Sequence, residues 1–355
     1  MPTLDRRTFL ARVAQAMVGV GLVAGCDMLP GATGSPTGQG SPVATGAAQP
    51  GGKAAPASPA GTAAPGPARA VGTPSPSQPS PTVGSTVVDG PHLAVVRGAS
   101  PEAITRAAVD TLGGIGRFVQ KGQRVLIKPN ICTSQPPQYA ATTNPEVVAT
   151  LVKLCREAGA SRVLVLDGPF SGIATAYRTS GIEAAVKEAG GEMEMMSRLK
   201  YVKIAIPQGK DLKSWSIYED ALKYDVLINV PIAKHHNLAT LTIGMKNLLG
   251  LVDDRGAFHS NLGQRLADLS TILRPALVVV DAVRILVDNG PTGGDLNDVR
   301  ATNMVIAGTD PVAADSFAAT LFGLKGDDLA YVRAGAEMGL GVKDLSQLKI
   351  AELTK

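Results

Sequence analysis

From residue 92 onward the chain is punctuated by seven short apolar runs: His92 to Arg97, Arg124 to Lys128, Arg162 to Asp167, Tyr201 to Ile206, Val226 to Val230, Ala276 to Val283 and Met304 to Ala307. Several are unbroken in Val, Ile and Leu, the pattern of strands buried on both faces, as in parallel sheets covered by helices. Helix-length segments lie between many of them: Pro101 to Phe118, Pro145 to Ala158, Ile182 to Ala189, Asn261 to Leu273 and Pro311 to Phe322. Asn144 before Pro145 and Asp310 before Pro311 each set a capping side chain ahead of a proline at the first helical position. The alternation predicts an α/β fold, a mostly parallel sheet with helices on both faces. Glu192 to Pro207 is expected to form a small antiparallel excursion.

Composition divides the chain into unlike parts. Leu29 to Ser85 is almost wholly Gly, Pro, Ala, Ser, Thr and Gln without an acidic residue, so it lacks the apolar surface needed to offset chain entropy and reads as a disordered tether. Before it, Arg6-Arg7-Thr8-Phe9-Leu10 resembles a twin-arginine export signal, and Leu22-Val23-Ala24-Gly25-Cys26 resembles a lipobox ending at a lipid-accepting cysteine. The apolar run between them, Val13 to Ala24, is short for a membrane span. The expected organisation is a signal over 1–26, a tether over 27–85 and an α/β domain over 86–355. The expected location is outside the cytoplasm, with the membrane reached through lipid on Cys26 and the twin-arginine export machinery as a partner.

Charge changes the picture little once the leader is set aside. The whole chain carries a formal +4, but residues 1–85 hold five bases and two acids, leaving 29 bases and 28 acids beyond. A near-neutral domain with 4% aromatics has neither the basic face nor the stacking rings of a nucleic-acid binder. Three cysteines, Cys26, Cys132 and Cys155, form no CxxC pair, so an iron-sulfur cluster is not expected.

In open parallel sheets ligands sit beyond the carboxyl ends of strands. There the chain reads Lys128-Pro129-Asn130, Asp167-Gly168-Pro169, Pro231-Ile232-Ala233-Lys234-His235-His236, and Ala307-Gly308-Thr309-Asp310-Pro311. With Thr143-Asn144-Pro145, Gly244-Met245-Lys246-Asn247, Gly250 and Val312-Ala313-Ala314-Asp315, this series resembles the family called domain of unknown function 362, over roughly Val125 to Phe322. The resemblance implies a fold family and candidate positions but no reaction or substrate. Some members look like fusions to ferredoxin-type four-cysteine runs, and this chain has none.

Lys234, His235, His236 and Lys246 are the candidate catalytic groups, and Lys128, Asn130, Asn247 and Asp167 the candidate substrate-binding groups. Lysines at strand ends suit a carboxylate or phosphate, with an internal ion pair of Lys128 to Asp167 or Asp281 as the structural alternative. His235, His236 and His259 admit a divalent metal, although neighbours on a strand point to opposite faces, so only one of the first two can enter a common pocket. Otherwise one histidine bonds a backbone carbonyl and the other is solvated. Asp315, one turn into an apolar helix, is expected to anchor structure rather than bind a cation. Cys132, in the same loop as Asn130, is a candidate nucleophile or soft ligand. The expectation is an enzyme acting on an anionic small molecule, whose cofactor the sequence leaves unidentified. A lipid-tethered binding protein and a redox accessory protein are the alternatives.

Overall fold

The computed structural model describes residues 90–170 and 172–355. The signal over 1–26 with Cys26, and the tether over 27–85, lie outside the described residues.

Twelve strands are present among the described residues: β1 (Leu93–Arg97), β2 (Arg124–Pro129), β3 (Arg162–Val165), β4 (Glu192–Met193), β5 (Tyr201–Ala205), β6 (Ser214–Tyr218), β7 (Val226–Val230), β8 (Ile232–His236), β9 (Thr240–Thr242), β10 (Leu277–Leu286), β11 (Val299–Gly308) and β12 (Ile350–Thr354). The main sheet runs β12-β1-β11-β10-β7-β2-β3-β4, with β8 and β9 continuing from β10. Along that row only β11 opposes its neighbours, pairing antiparallel with β1 and β10. The expected mostly parallel α/β sheet is what forms. The antiparallel excursion is the separate pair β5 and β6, whereas Glu192–Met193, read with it, joins the main sheet in parallel beside β3.

Alternation along the central strands explains the two layers. Leu126, Leu164, Val278 and Val280 face a core shared with the helices Leu262–Ser270, Pro311–Thr320 and Ala330–Glu337. Val125, Ile127, Val163, Val165 and Val279 face the other core, under the helices Pro101–Thr111, Pro145–Glu157 and Ile182–Glu188. Two of the three α-helices that start with Pro carry the caps expected: Asn144 accepts from Glu146 N, and Asp310 from Ala313 N. Among the described residues no helix is long and apolar enough to cross a membrane.

Strand β10 is long enough to serve two partners. Its first residues pair with β7, and after Asp281 it pairs with β8. The intervening Pro231 cannot donate a ladder bond, and its carbonyl instead accepts from Asp281 N at 2.8 Å. The β8 strand, carrying Lys234, His235 and His236, is thereby carried past the ends of β2 and β3 to wall a cavity there.

Candidate functional site

The cavity lies at the carboxyl ends of β2, β3 and β7. Its lining includes Lys128, Asn130, Cys132, Asp167, Lys234, His236, Lys246, Asn247 and Arg255, enclosing about 40 Å³, room for roughly three waters or the charged end of a small ligand. Four cationic side chains meet one carboxylate in that lining.

Lys128 and Asp167 form the floor. Lys128 is wholly buried, and its Nζ lies 2.8 Å from Asp167 Oδ1 while donating to Pro129 O at 2.9 Å and Asn247 Oδ1 at 2.8 Å. All three of its donors are engaged. Burial pulls this ammonium below the ordinary lysine value, partly offset by Asp167. Asp167 Oδ2 accepts from Ile131 N at 2.6 Å, so the carboxylate also shapes the loop after β2. This is the internal pair considered above as the alternative for Lys128. Gly250 is confined by it: a Cβ there would come within 2.0 Å of Asp167 Oδ1 and 2.8 Å of Lys128 Nζ.

Asn247 is a fully used connector. Its Oδ1 accepts from Lys128 and from Asn130 Nδ2, and its Nδ2 donates to Asn229 Oδ1 and Lys128 O. Asn130 keeps a buried Oδ1 without a hydrogen-bond partner among the described residues. The short helix Gly244–Asn247 that presents Lys246 and Asn247 is held from a distance. Asp315, wholly buried, accepts from Gly244 N at 2.7 Å and Met245 N at 2.9 Å. Its carboxyl is pushed up to about 7 by burial, and it acts as the anchor expected. Residue 244 must be glycine, because a Cβ would sit 2.7 Å from Asp315 Oδ1.

The cations above the floor differ in what they touch. Lys234 Nζ, wholly buried, donates to Ala141 O at 2.6 Å and Pro291 O at 2.8 Å, and Cys132 lies beside it. Burial lowers its pKa. Arg255 donates to Gly168 O and Pro169 O and stacks on the Phe170 ring at 5.7 Å, leaving N–H groups free of the five a guanidinium has. Lys246 is 7% exposed, and its ammonium has no hydrogen-bond or ion-pair partner among the described residues. Burial, then Lys234, brings it down to about 7. An unpaired, buried ammonium beside other cations is costly unless an anion joins it or a proton leaves.

The two histidines diverge, as strand alternation requires. His236 lines the cavity; its Nδ1 accepts from Leu238 N at 3.1 Å and Ala239 N at 3.3 Å. With Nδ1 accepting, the ring proton sits on Nε2, and burial followed by Lys246 depresses the group to about 3. His236 is therefore a neutral hydrogen-bond donor. His235 lines a different depression with Thr240, Val287 and Arg300, its Nδ1 accepting from Gly290 N. His259 turns its Nδ1 to Arg255 O. The metal set of His235, His236 and His259 does not converge, and among the described residues no group of three or more His, Cys, Asp or Glu is arranged to hold a metal ion.

Of the expected residues, Lys128, Asn130, Asp167, Lys234, His236, Lys246 and Asn247 come together at one cavity, joined by Cys132; His235 and His259 lie outside its lining. Arg255, Phe170 and Leu249 join it without a motif to mark them, beside Thr242 and the backbone of Gly168, Gly250 and Pro291. The loop Asn289 to Gly294 contributes the Pro291 carbonyl, which accepts from Lys234. Cys155 is a buried helix residue, its thiol pushed up to about 12 by burial, and both described cysteines are free.

A family model described as "Domain of unknown function (DUF362)" matches residues 125–320, the span that holds this entire lining. The chain belongs to this family. A thylakoid-associated protein of Synechocystis sp. is 30% identical over 253 residues, covering 67% of this chain and 75% of that protein. Among solved structures, the DUF362 chain is similar to a lactate racemase apoprotein of Thermoanaerobacterium thermosaccharolyticum, at 12% identity and a TM-score of 0.39 over 63% of this chain and 55% of that one. A Thermotoga maritima protein from structural genomics gives 10% identity and 0.40 over 62% and 59%. The chain thus spans little more than half the length of each of these two structures.

Proposed function

We propose that this DUF362 protein is an enzyme acting on a small anionic molecule, a carboxylate or phosphate, bound in the cavity between Lys128, Lys234, Lys246 and Arg255. The observation that carries the reading is Lys246: a buried ammonium without a partner among the described residues, in a cavity where three further cations face one carboxylate. An anion supplies the missing counter-charge, and Asn130 Oδ1 accepts a hydrogen bond from any hydroxyl or water the ligand brings. Catalysis rather than storage is favoured by two groups. Lys246 changes charge near neutral pH, and His236 offers a neutral N–H of the kind that polarises a carbonyl.

Titration calorimetry of the full chain with acetate, inorganic phosphate and acetamide tests the binding step. The anions should bind and the neutral acetamide should not, with Lys246→Gln weakening the anions about tenfold or more. Equal binding of acetamide, or an unaffected Lys246→Gln variant, would remove the basis of the reading.

The same proposal places the protein outside the cytoplasm, held to a membrane by lipid on Cys26 after twin-arginine export. Its support is the order of motifs in residues 1–26, and the thylakoid association of the Synechocystis relative suits a membrane-associated protein. Cys26→Ser should move the protein from the membrane fraction to the soluble one; retention in the membrane fraction would refute lipid attachment at this residue.

A further inference from the structure

Building on the anionic-substrate reading, the geometry points to Lys246 as an amine nucleophile that forms an imine with a small 2-oxo acid. Arg255 holds the acid's carboxylate with the Lys234 charge beside it, and His236 Nε2–H donates to its carbonyl oxygen. Three features of the cavity carry this. The first is that Lys246 Nζ is, among the described residues, the one cation of the lining with no hydrogen-bond or ion-pair partner, whereas Lys128 is saturated and Lys234 is tied to two carbonyls. A lysine meant only as a fixed charge gains nothing from burial among other cations; one meant to attack carbon needs its lone pair free, which desolvation and neighbouring positive charge both favour.

The second is the donor. His236 Nδ1 is locked by Leu238 N and Ala239 N, so the ring faces the cavity with a proton it does not readily give up. Such a group stabilises developing negative charge on a carbonyl oxygen without being consumed. The third is size. About 40 Å³ accommodates a carboxylate and the adjoining carbonyl carbon, with the remainder of the molecule in the mouth beside Phe170, which is 56% exposed. A carbonyl next to the carboxylate is the arrangement that brings the electrophile within reach once the cations hold the acid.

In the step, the Lys246 lone pair forms the N–C bond and the carbonyl π pair moves to oxygen, which takes a proton from solvent. The carbinolamine then loses water as the C–O bond breaks and the N=C bond forms. One amine, one ketone and one proton give one protonated imine and one water. At pH 7 an ordinary lysine is a free amine in only about one molecule in a few thousand, whereas Lys246, brought down to about 7 in the empty cavity, is a free amine in roughly half before the acid enters, and attack proceeds from that fraction in competition with its recharging by the bound carboxylate.

The test is trapping. The full chain at pH 7 is mixed with pyruvate and sodium borohydride, whose hydride reduces any imine to a stable secondary amine, and the modified lysine is located by peptide mass mapping. Lys246 should be labelled about tenfold or more faster than any other lysine, inorganic phosphate should slow the labelling, and Lys246→Arg should lose it. Labelling spread evenly over surface lysines, or none at Lys246, overturns the imine. Acetate titration separates the two claims: acetate bound without trapping leaves the anion site standing, and neither bound nor trapped rejects both. An amine serving only as a proton acceptor leaves no trapped adduct, so that role also counts against the imine.

Discussion

Lys246→Met removes the unpaired ammonium while keeping an unbranched side chain of similar length. The folded state holds Lys246 at about 7 against 10.5 as the reference for the unfolded chain. A depressed pKa means the unfolded state binds the extra proton between those values, so stability rises with pH across that window and is lost as pH falls through about 7. Each pH unit is worth about 1.4 kcal/mol, and the whole window about 5 kcal/mol. Lys246 is 7% exposed, so solvent screening takes little away. Urea unfolding at pH 7.5 and 9.5 in phosphate-free buffer, followed by fluorescence of the sole tryptophan, Trp215, isolates this residue as a difference between proteins. The wild type should gain about 2 kcal/mol more than Lys246→Met on going to pH 9.5. At pH 7.5 the variant should be the more stable relative to its own value at high pH. Parallel pH dependences, within about 0.5 kcal/mol, would mean that Lys246 is solvated or paired, and the reasoning about the cavity would fail with it.

Gly250→Ala should destabilise the fold by about 2–4 kcal/mol and weaken anion binding, because its methyl meets the buried Lys128–Asp167 pair; urea unfolding that leaves the midpoint unchanged would contradict that packing. Asp315→Ala leaves Gly244 N and Met245 N without an acceptor and should cost about 2–5 kcal/mol, read from the same unfolding curves. His236→Phe should remove an acid-sensitive component. His236 titrates near 3 when folded against 6.5 unfolded, so stability from this group is present above pH 6.5 and lost as pH falls toward 3. Unfolding at pH 4 and 7 should show the variant losing about 2–3 kcal/mol less than the wild type; equal losses would place a proton on the folded His236.

The fold was most legible where burial is simplest. Strands β2, β3, β7 and β10 are covered on both faces, so their sequences are nearly continuous Val, Ile and Leu. Strand β8 was legible only through its histidine pair, because it is a buried strand made of Ile-Ala-Lys-His-His, and Lys234 and His235 are satisfied by loops distant in sequence. Strand β6 reads Ser-Trp-Ser-Ile-Tyr and is only half-buried, and the edge strand β12 is largely exposed; neither needs an apolar run. The four-residue helix Gly244–Asn247 has no local signal strong enough to specify it, and its cap comes from Asp315, 71 positions away.

Much of the site was legible for a different reason. Polar residues immediately after buried strands have few places to go, and Lys128, Asn130, Asp167 and Lys234 all meet in the cavity. The period of two along a strand also separates His235 from His236. What local pattern does not encode is pairing: that Lys128 is saturated and Lys246 is free depends on distances between loops. Arg255 had no motif to mark it, since it reaches the cavity through the Gly168 and Pro169 carbonyls and the Phe170 ring.

The central claim, an anion site completed by Lys246, is tested most directly by proton linkage. Acetate is titrated into the full chain at pH 8 in two buffers of different ionisation enthalpy, so that the heats report protons exchanged on binding. At that pH Lys246 is mostly a free amine, and an anion should recharge it. The account predicts uptake of about one proton per acetate, with affinity falling roughly tenfold per pH unit above pH 8. Acetate bound with no proton taken up, or not bound at all, would contradict it.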